Sequence, residues 1–138
     1  MKKQLSALLG LGLLLLAASA YAQTVNLKIE IPFSFTANGA KMPAGEYMIK
    51  GLGIAGEALA IRNSEQKAET LVMGHRCETL EPSQQSKLVF HRYGDRYFLA
   101  QVWTAGNNAG RELPKSRQEV EVAQDYTSQN VVLVASLR

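Results

Sequence analysis

The chain is poor in the residues that carry most protein chemistry. Its 138 residues include one cysteine (Cys77), two histidines (His75 and His91) and one tryptophan. A single cysteine excludes an internal disulfide, so the fold must rest on its apolar core. Free cysteine packs as a small hydrophobe, and burial is the setting expected for Cys77, with pairing between chains as the alternative. A structural zinc site normally takes four nitrogen or sulfur ligands, whereas His75, Cys77 and His91 exhaust the supply at three. His75 and Cys77 share a strand face, a feasible ligand spacing, but Leu71 and Met73 fall on that same face and mark it as core. Nucleophilic catalysis by Cys77 with either histidine lacks an orienting group and an oxyanion hole. No Gly-x-Ser-x-Gly elbow occurs. The glycines of residues 51–56 have the wrong spacing for a nucleotide loop and no helix follows, so they read as a connection between strands. No catalytic, cofactor-binding or metal-ligating residue is assigned.

A strong excess of either charge is also missing. Fifteen Lys and Arg face twelve Asp and Glu, a net of +3. Lys2 and Lys3 belong to an N-terminal leader described below, and without them thirteen basic side chains face twelve acidic ones. No block of like charge stands out, and nucleic acid is not an expected partner. Arg92, Arg96, Arg111, Lys115 and Arg117 do fall in one stretch with Tyr93, Tyr97 and Trp103 between them. Such a set can bind anions or glycans. Glu112, Glu119 and Glu121 lie in the same stretch, and ordinary solvated charge pairing is the competing reading.

What the sequence does contain begins with its N-terminus. Lys2 and Lys3 precede an apolar run over residues 8–18, broken only by glycines, and Ala20-Tyr21-Ala22 sets small residues where a signal peptidase reads. Residues 1–22 read as a cleavable secretory signal with Gln23 as the mature N-terminus. The run is shorter than the ~20 residues that span a bilayer. No transmembrane segment is expected after cleavage, and the mature protein, residues 23–138, reads as a single β domain in the periplasm or secreted.

From residue 25 to 35 every odd position is apolar, the period of a half-buried strand, and Pro32 on the outward set indicates an edge, a bulge or a break. Asn38-Gly39 signals a turn, and Pro43 and Gly45 lead into a strand carrying Tyr47 and Ile49. Shorter strands are expected over residues 58–62 and 70–77. Residues 87–103 form a hairpin about Gly94-Asp95, with Tyr93 facing Arg96, Arg92 facing Tyr97, His91 facing Phe98, Phe90 facing Leu99 and Val89 facing Ala100. One face holds Leu88, Phe90, Tyr97, Leu99 and Trp103, the other Val89, Phe98, Ala100 and Val102. Both being apolar, both must be covered. A helix over residues 114–125, with Leu113, Val120 and Ala123 as its apolar positions, is the expected cover. Residues 131–137 read as a buried closing strand that pairs with the first. The fold class is mainly β: an antiparallel meander of about seven strands forming a small barrel or sandwich, with one helix near the C-terminus.

The segments Ile31-Pro32-Phe33-Ser34-Phe35, Met42-Pro43-Ala44-Gly45-Glu46-Tyr47, HRYGDRYFLAQVWTAG (residues 91–106) and GRELPKSR (residues 110–117) resemble a family of small exported bacterial β proteins of uncharacterised function. The resemblance implies a bacterial envelope or secreted setting and no activity or site. The expected function is therefore a non-enzymatic exported β domain that binds an envelope protein or a small apolar ligand, the latter inside a barrel. The alternatives are a small secreted hydrolase using the loop carboxylates Glu78, Glu81 and Asp95, and a structural envelope protein that assembles through edge strands.

Overall fold

The computed structural model describes residues 25–53, 57–65 and 69–135. The expected leader and part of the glycine-rich connection lie outside them. The first strand, β1 (Asn26–Ile31), buries Leu27, Ile29 and Ile31 and exposes the residues between, as its alternation requires. Pro32 ends it. The chain then leaves this sheet, and β2 (Phe35–Ala37) pairs in another, antiparallel to β3 (Ala40–Met42). The long alternating run is thus two strands on two sheets, switched at the proline. Asn38 and Gly39 both take positive φ, 49° and 78°, the two-residue turn whose twist matches a hairpin.

β4 (Gly45–Leu52), β5 (Ala58–Asn63) and β6 (Glu69–Met73) complete a four-stranded antiparallel sheet in the order β1-β4-β5-β6. Here one expectation fails. Residues 70–77 are not one strand, because Gly74 lets the chain turn a corner into β7 (His75–Glu78) on the second sheet. A Cβ on Gly74 would sit 3.0 Å from the Arg111 Cβ, so a larger residue would crowd this corner. Leu71 and Met73, expected in the core, are 58 % and 60 % exposed, while Val72 between them is buried.

The second sheet is built on the hairpin of β8 (Lys87–Tyr93) and β9 (Arg96–Trp103). With β10 (Ala109–Glu112) and β11 (Gln129–Val134) its main path runs β11-β8-β9-β10-β7, and β2 joins β9 in parallel at Thr36–Phe98. Gly94 supplies the positive φ (60°) of the turn. The expected register holds from Tyr93–Arg96 to Phe90–Leu99, and then a bulge sets Val89 opposite Gln101 instead of Ala100. The extra residue reverses the alternation beyond it. Val102 therefore joins Leu88, Phe90 and Leu99 in the main core, whereas Trp103 falls outside that cluster. Val89, Tyr93, Phe98, Ala100 and Trp103 are also buried, so the hairpin is covered on both faces.

The main core draws Leu27, Ile29, Tyr47, Ile49, Leu59 and Ile61 from the four-stranded sheet and Phe35, Leu88, Phe90, Leu99 and Val102 from the other. Two sheets packed over one core make a sandwich, and no closed barrel is found among the described residues. Each fully buried aliphatic side chain contributes about 1.5–3 kcal/mol of transfer free energy. Tyr47 is fully buried, stands edge-on to Phe35 at 5.1 Å, and donates its hydroxyl to the Pro43 carbonyl. This is a tyrosine corner, a side chain tying a strand to the backbone just upstream.

The chain carries one described helix, α1 (Arg117–Ala123), shorter than the expected 114–125. Ser116 is its N-cap, accepting from the Glu119 backbone N–H at 3.2 Å. Its orientation also differs from expectation. Leu113 precedes the helix and enters the main core, Val120 is 48 % exposed, and the residue facing inward is Glu119. The last strand differs as well. β11 pairs antiparallel with β8, from Gln129–Arg92 to Val134–Lys87, and not with β1. There Val131 and Leu133 extend the core face carried by Phe90 and Leu88. β11 lies at a sheet edge, and Val132 and Val134 are half exposed. The described residues hold eleven strands, because Pro32, Gly74 and the short loops cut the expected ones into shorter pieces.

Candidate functional site

Three places on this scaffold concentrate chemistry or exposed surface. The first is a buried polar cluster under α1. The Glu119 carboxylate is almost wholly buried, and one of its oxygens, Oε2, accepts from the Tyr93 hydroxyl at 2.9 Å and lies 2.8 Å from the His91 Nδ1. His91 and Tyr93 stand two apart on β8 and so point to the same face. Ser116 starts the helix three residues before Glu119, which aims that side chain at the sheet. Burial first, and then the hydrogen bond and charge of Glu119, push the Tyr93 hydroxyl up to about 12, against a lowering hydrogen bond with Ser128. Among the described residues His91 hydrogen-bonds to Glu119 alone. Among the described residues no nucleophile is held against its other ring nitrogen, and the cluster fastens α1 to the second face of the hairpin.

The second place is an open groove of about 600 Å³. Lys41, Met42 and Pro43 form one wall, and Asp95, Arg96 and Tyr97 the other. Tyr97 is stacked on Phe33 with ring centroids 3.9 Å apart, and the Arg92 guanidinium lies over it at 5.5 Å. The cation–aromatic set read from the sequence is therefore divided. Arg96 and Tyr97 reach the groove, whereas Tyr93 and Trp103 are buried. Arg111 packs beside Gly74, and Lys115 and Arg117 are exposed around Ser116. Lys41, which sequence spacing did not connect with these residues, arrives through the β2–β3 hairpin.

The third place is the set of sheet edges, where a strand has a neighbour on one side only among the described residues. β1 carries Lys28 and Glu30 and ends at Pro32, β6 begins with Glu69, and on β7 Arg76 pairs with Glu78 at 3.1 Å. Charges and proline of this kind protect an edge against further pairing. β11, with the sequence QNVVLV, has neither.

The remaining candidates separate. Cys77 and His75 lie on β7, and β10 and β9 stand between them and His91 on β8. Three strand spacings amount to at least ~14 Å. No group of three metal-ligating side chains occurs among the described residues. Cys77 is half buried at an edge strand and not in the core; burial first, then the charge of Glu112, push its thiol up, which disfavours the thiolate. Glu78 and Glu81 lie near the Trp103 end of β9, where Thr79 bonds Asn108, and Asp95 lies at the other end. An eight-residue strand separates them, roughly 26 Å. Comparison with protein-family models, curated proteins and solved structures finds no match to this chain.

Two of the sequence segments have structural explanations. In MPAGEY, Tyr47 forms the corner with Pro43, and Gly45 takes φ +152° where a Cβ would meet the Asn63 amide nitrogen at 2.9 Å. In GRELPKSR, Gly110 lies under the Trp103 ring, and a Cβ there would sit 2.6 Å from it. No helix among the described residues is long and apolar enough to cross a membrane.

Proposed function

We propose that this is a non-enzymatic, exported binding domain of the bacterial envelope that engages a protein through strand addition to the free edge of β11. The observation that carries the reading is the contrast between the edges. β11 alone among the described edge strands has no charge and no proline, and two half-exposed valines stand on its outer face. An edge of that kind is a template for another strand: main-chain hydrogen bonds supply affinity, and alternate side chains supply specificity. The N-terminal signal pattern supports the compartment. For the hydrolase alternative, Asp95 lies at the far end of β9 from Glu78 and Glu81 and does not share a site with them. The apolar-ligand alternative loses the closed barrel that would have held the ligand.

A photo-crosslinking residue at Val132, introduced in the exporting cell, tests the reading, with Lys28 on the charged β1 edge as the control. A protein adduct at Val132 and none at Lys28 is expected. No adduct at Val132 would contradict the proposal. The groove favours a second reading, an anionic ligand held between Lys41 and Arg96 beside the Tyr97 ring. A loss of ligand binding in Arg96→Ala, with binding kept in Val132→Lys, would favour the groove over the edge.

A further inference from the structure

We infer that the strand which adds to β11 is β11 of a second copy, running antiparallel about a two-fold axis at Val132. The inference rests on the preceding reading, that the β11 edge is the working surface. In this register Val132 faces its own copy, Val131 faces Leu133, and Asn130 faces Val134. Residues directly opposite in an antiparallel pair point to the same face. Val131 and Leu133 are partly buried at the rim of the main core, so the pairing sets the core rims of the two copies side by side. On the outer face it brings together Val132 residues that are each 51 % exposed. A register shifted by one residue would set Val131 against Val132 and place the two cores on opposite sides of the joined sheet, exposing one apolar rim.

Charge permits the contact. Strand self-pairing sets each residue near its own kind, so a lysine or glutamate near the axis risks facing its like. No residue of Gln129–Val134 is charged. The domain beyond the leader carries thirteen basic and twelve acidic side chains, so two copies approach with little net repulsion. Size sets the strength. Six residues of strand extend ~20 Å. Pairing over that length buries less than the ~1,200 Å² of a standard stable interface. The association is therefore reversible and concentration-dependent, with monomer at high dilution.

Sedimentation velocity of the exported protein, purified without refolding, tests this across a range of concentrations. The expected result is a rise from monomer to twice the monomer mass. Val132→Lys sets two ammonium groups against each other across the axis and should leave a monomer at every concentration, with an unchanged circular dichroism melt because the side chain is half exposed. Val132→Glu alone should do the same, and an equimolar mixture of the two variants should restore the dimer through opposite charges. A dimer that persists in Val132→Lys would overturn the inference by placing the interface elsewhere. A wild-type monomer at all concentrations, with an adduct from Val132 to a different envelope protein, would overturn it while leaving the edge as the working surface. A monomer with no adduct at all would overturn both.

Discussion

Replacing Glu119 by alanine should cost the domain a large part of its stability, although the residue is a charged side chain on a seven-residue helix. Its carboxylate oxygen holds His91 at 2.8 Å and Tyr93 at 2.9 Å while almost wholly buried. A hydrogen bond to a charged group contributes about 1.5 kcal/mol at the low end, so losing two costs about 3 kcal/mol. The His91 side chain is 24 % exposed, which keeps the figure at the bottom of the range for breaking a buried pair. For a domain of this size ~3 kcal/mol lowers Tm by roughly 12–20 °C. Urea unfolding followed by the fluorescence of Trp103, the only tryptophan, measures it directly. Tyr93→Phe alone should cost about 1.5 kcal/mol, the share of the bond it removes. The double variant should be less destabilised than the sum of the singles by about 1.5 kcal/mol, because both remove the same bond. A Glu119→Ala variant within about 0.5 kcal/mol of wild type would mean that the cluster does not anchor the helix, since that is the range of ordinary surface substitutions.

The raised Tyr93 hydroxyl gives an alkaline limb. Its folded value of about 12 lies above the ordinary tyrosine value of 10.0, so its contribution is full below pH 10 and is lost as pH rises toward 12. Unfolding curves at successive pH values should show a loss between those limits that Tyr93→Phe lacks. Gly110→Ala should cost about 1–3 kcal/mol by overpacking, and it should shift Trp103 emission to the red as the ring is displaced from its buried seat. Ile61→Ala, at a fully buried position joining the two sheets, should cost 2–5 kcal/mol in the same assay. Intact-mass measurement of the protein made in bacteria from its full-length sequence should give a chain beginning at Gln23; a full-length mass would remove the export half of the functional proposal.

The sequence carried the parts of this fold that depend on local pattern. The alternation of Leu27, Ile29 and Ile31 and the turns at Asn38-Gly39 and Gly94 are properties of a few consecutive residues, and each is realised. What it concealed depends on packing at a distance. The bulge opposite Val89 has no mark in the residues around Ala100, yet it exchanged the faces of Val102 and Trp103. Gly74 did carry a signal, since glycine inside a strand pattern often marks a bend, but the apolar residues Leu71 and Met73 argued for continuity. β11 read as buried because apolar residues occupy both of its faces, a pattern that fits an uncapped edge equally well.

The candidate sites were less legible than the fold. Glu119 looked like one solvated charge among several. Ser116 and Glu119 do have the spacing of a capping box, in which the glutamate returns to its own helix N-terminus. Nothing local reveals that the side chain instead reaches across to His91 and Tyr93. Lys41 and Arg96 line one groove only because the β2–β3 hairpin folds beside the β8–β9 turn, a tertiary fact.

β11, as proposed above, offers its free edge to another strand. Amide hydrogen exchange across Gln129–Val134 in the purified protein is the test, because only some of these N–H groups point toward β8. If the edge is used, all β11 amides become protected as protein concentration rises, and Val132→Lys returns the outward-pointing ones to fast exchange. Outward amides that exchange fast at every concentration, and equally fast in an unfractionated extract of the cells that make the protein, would contradict it.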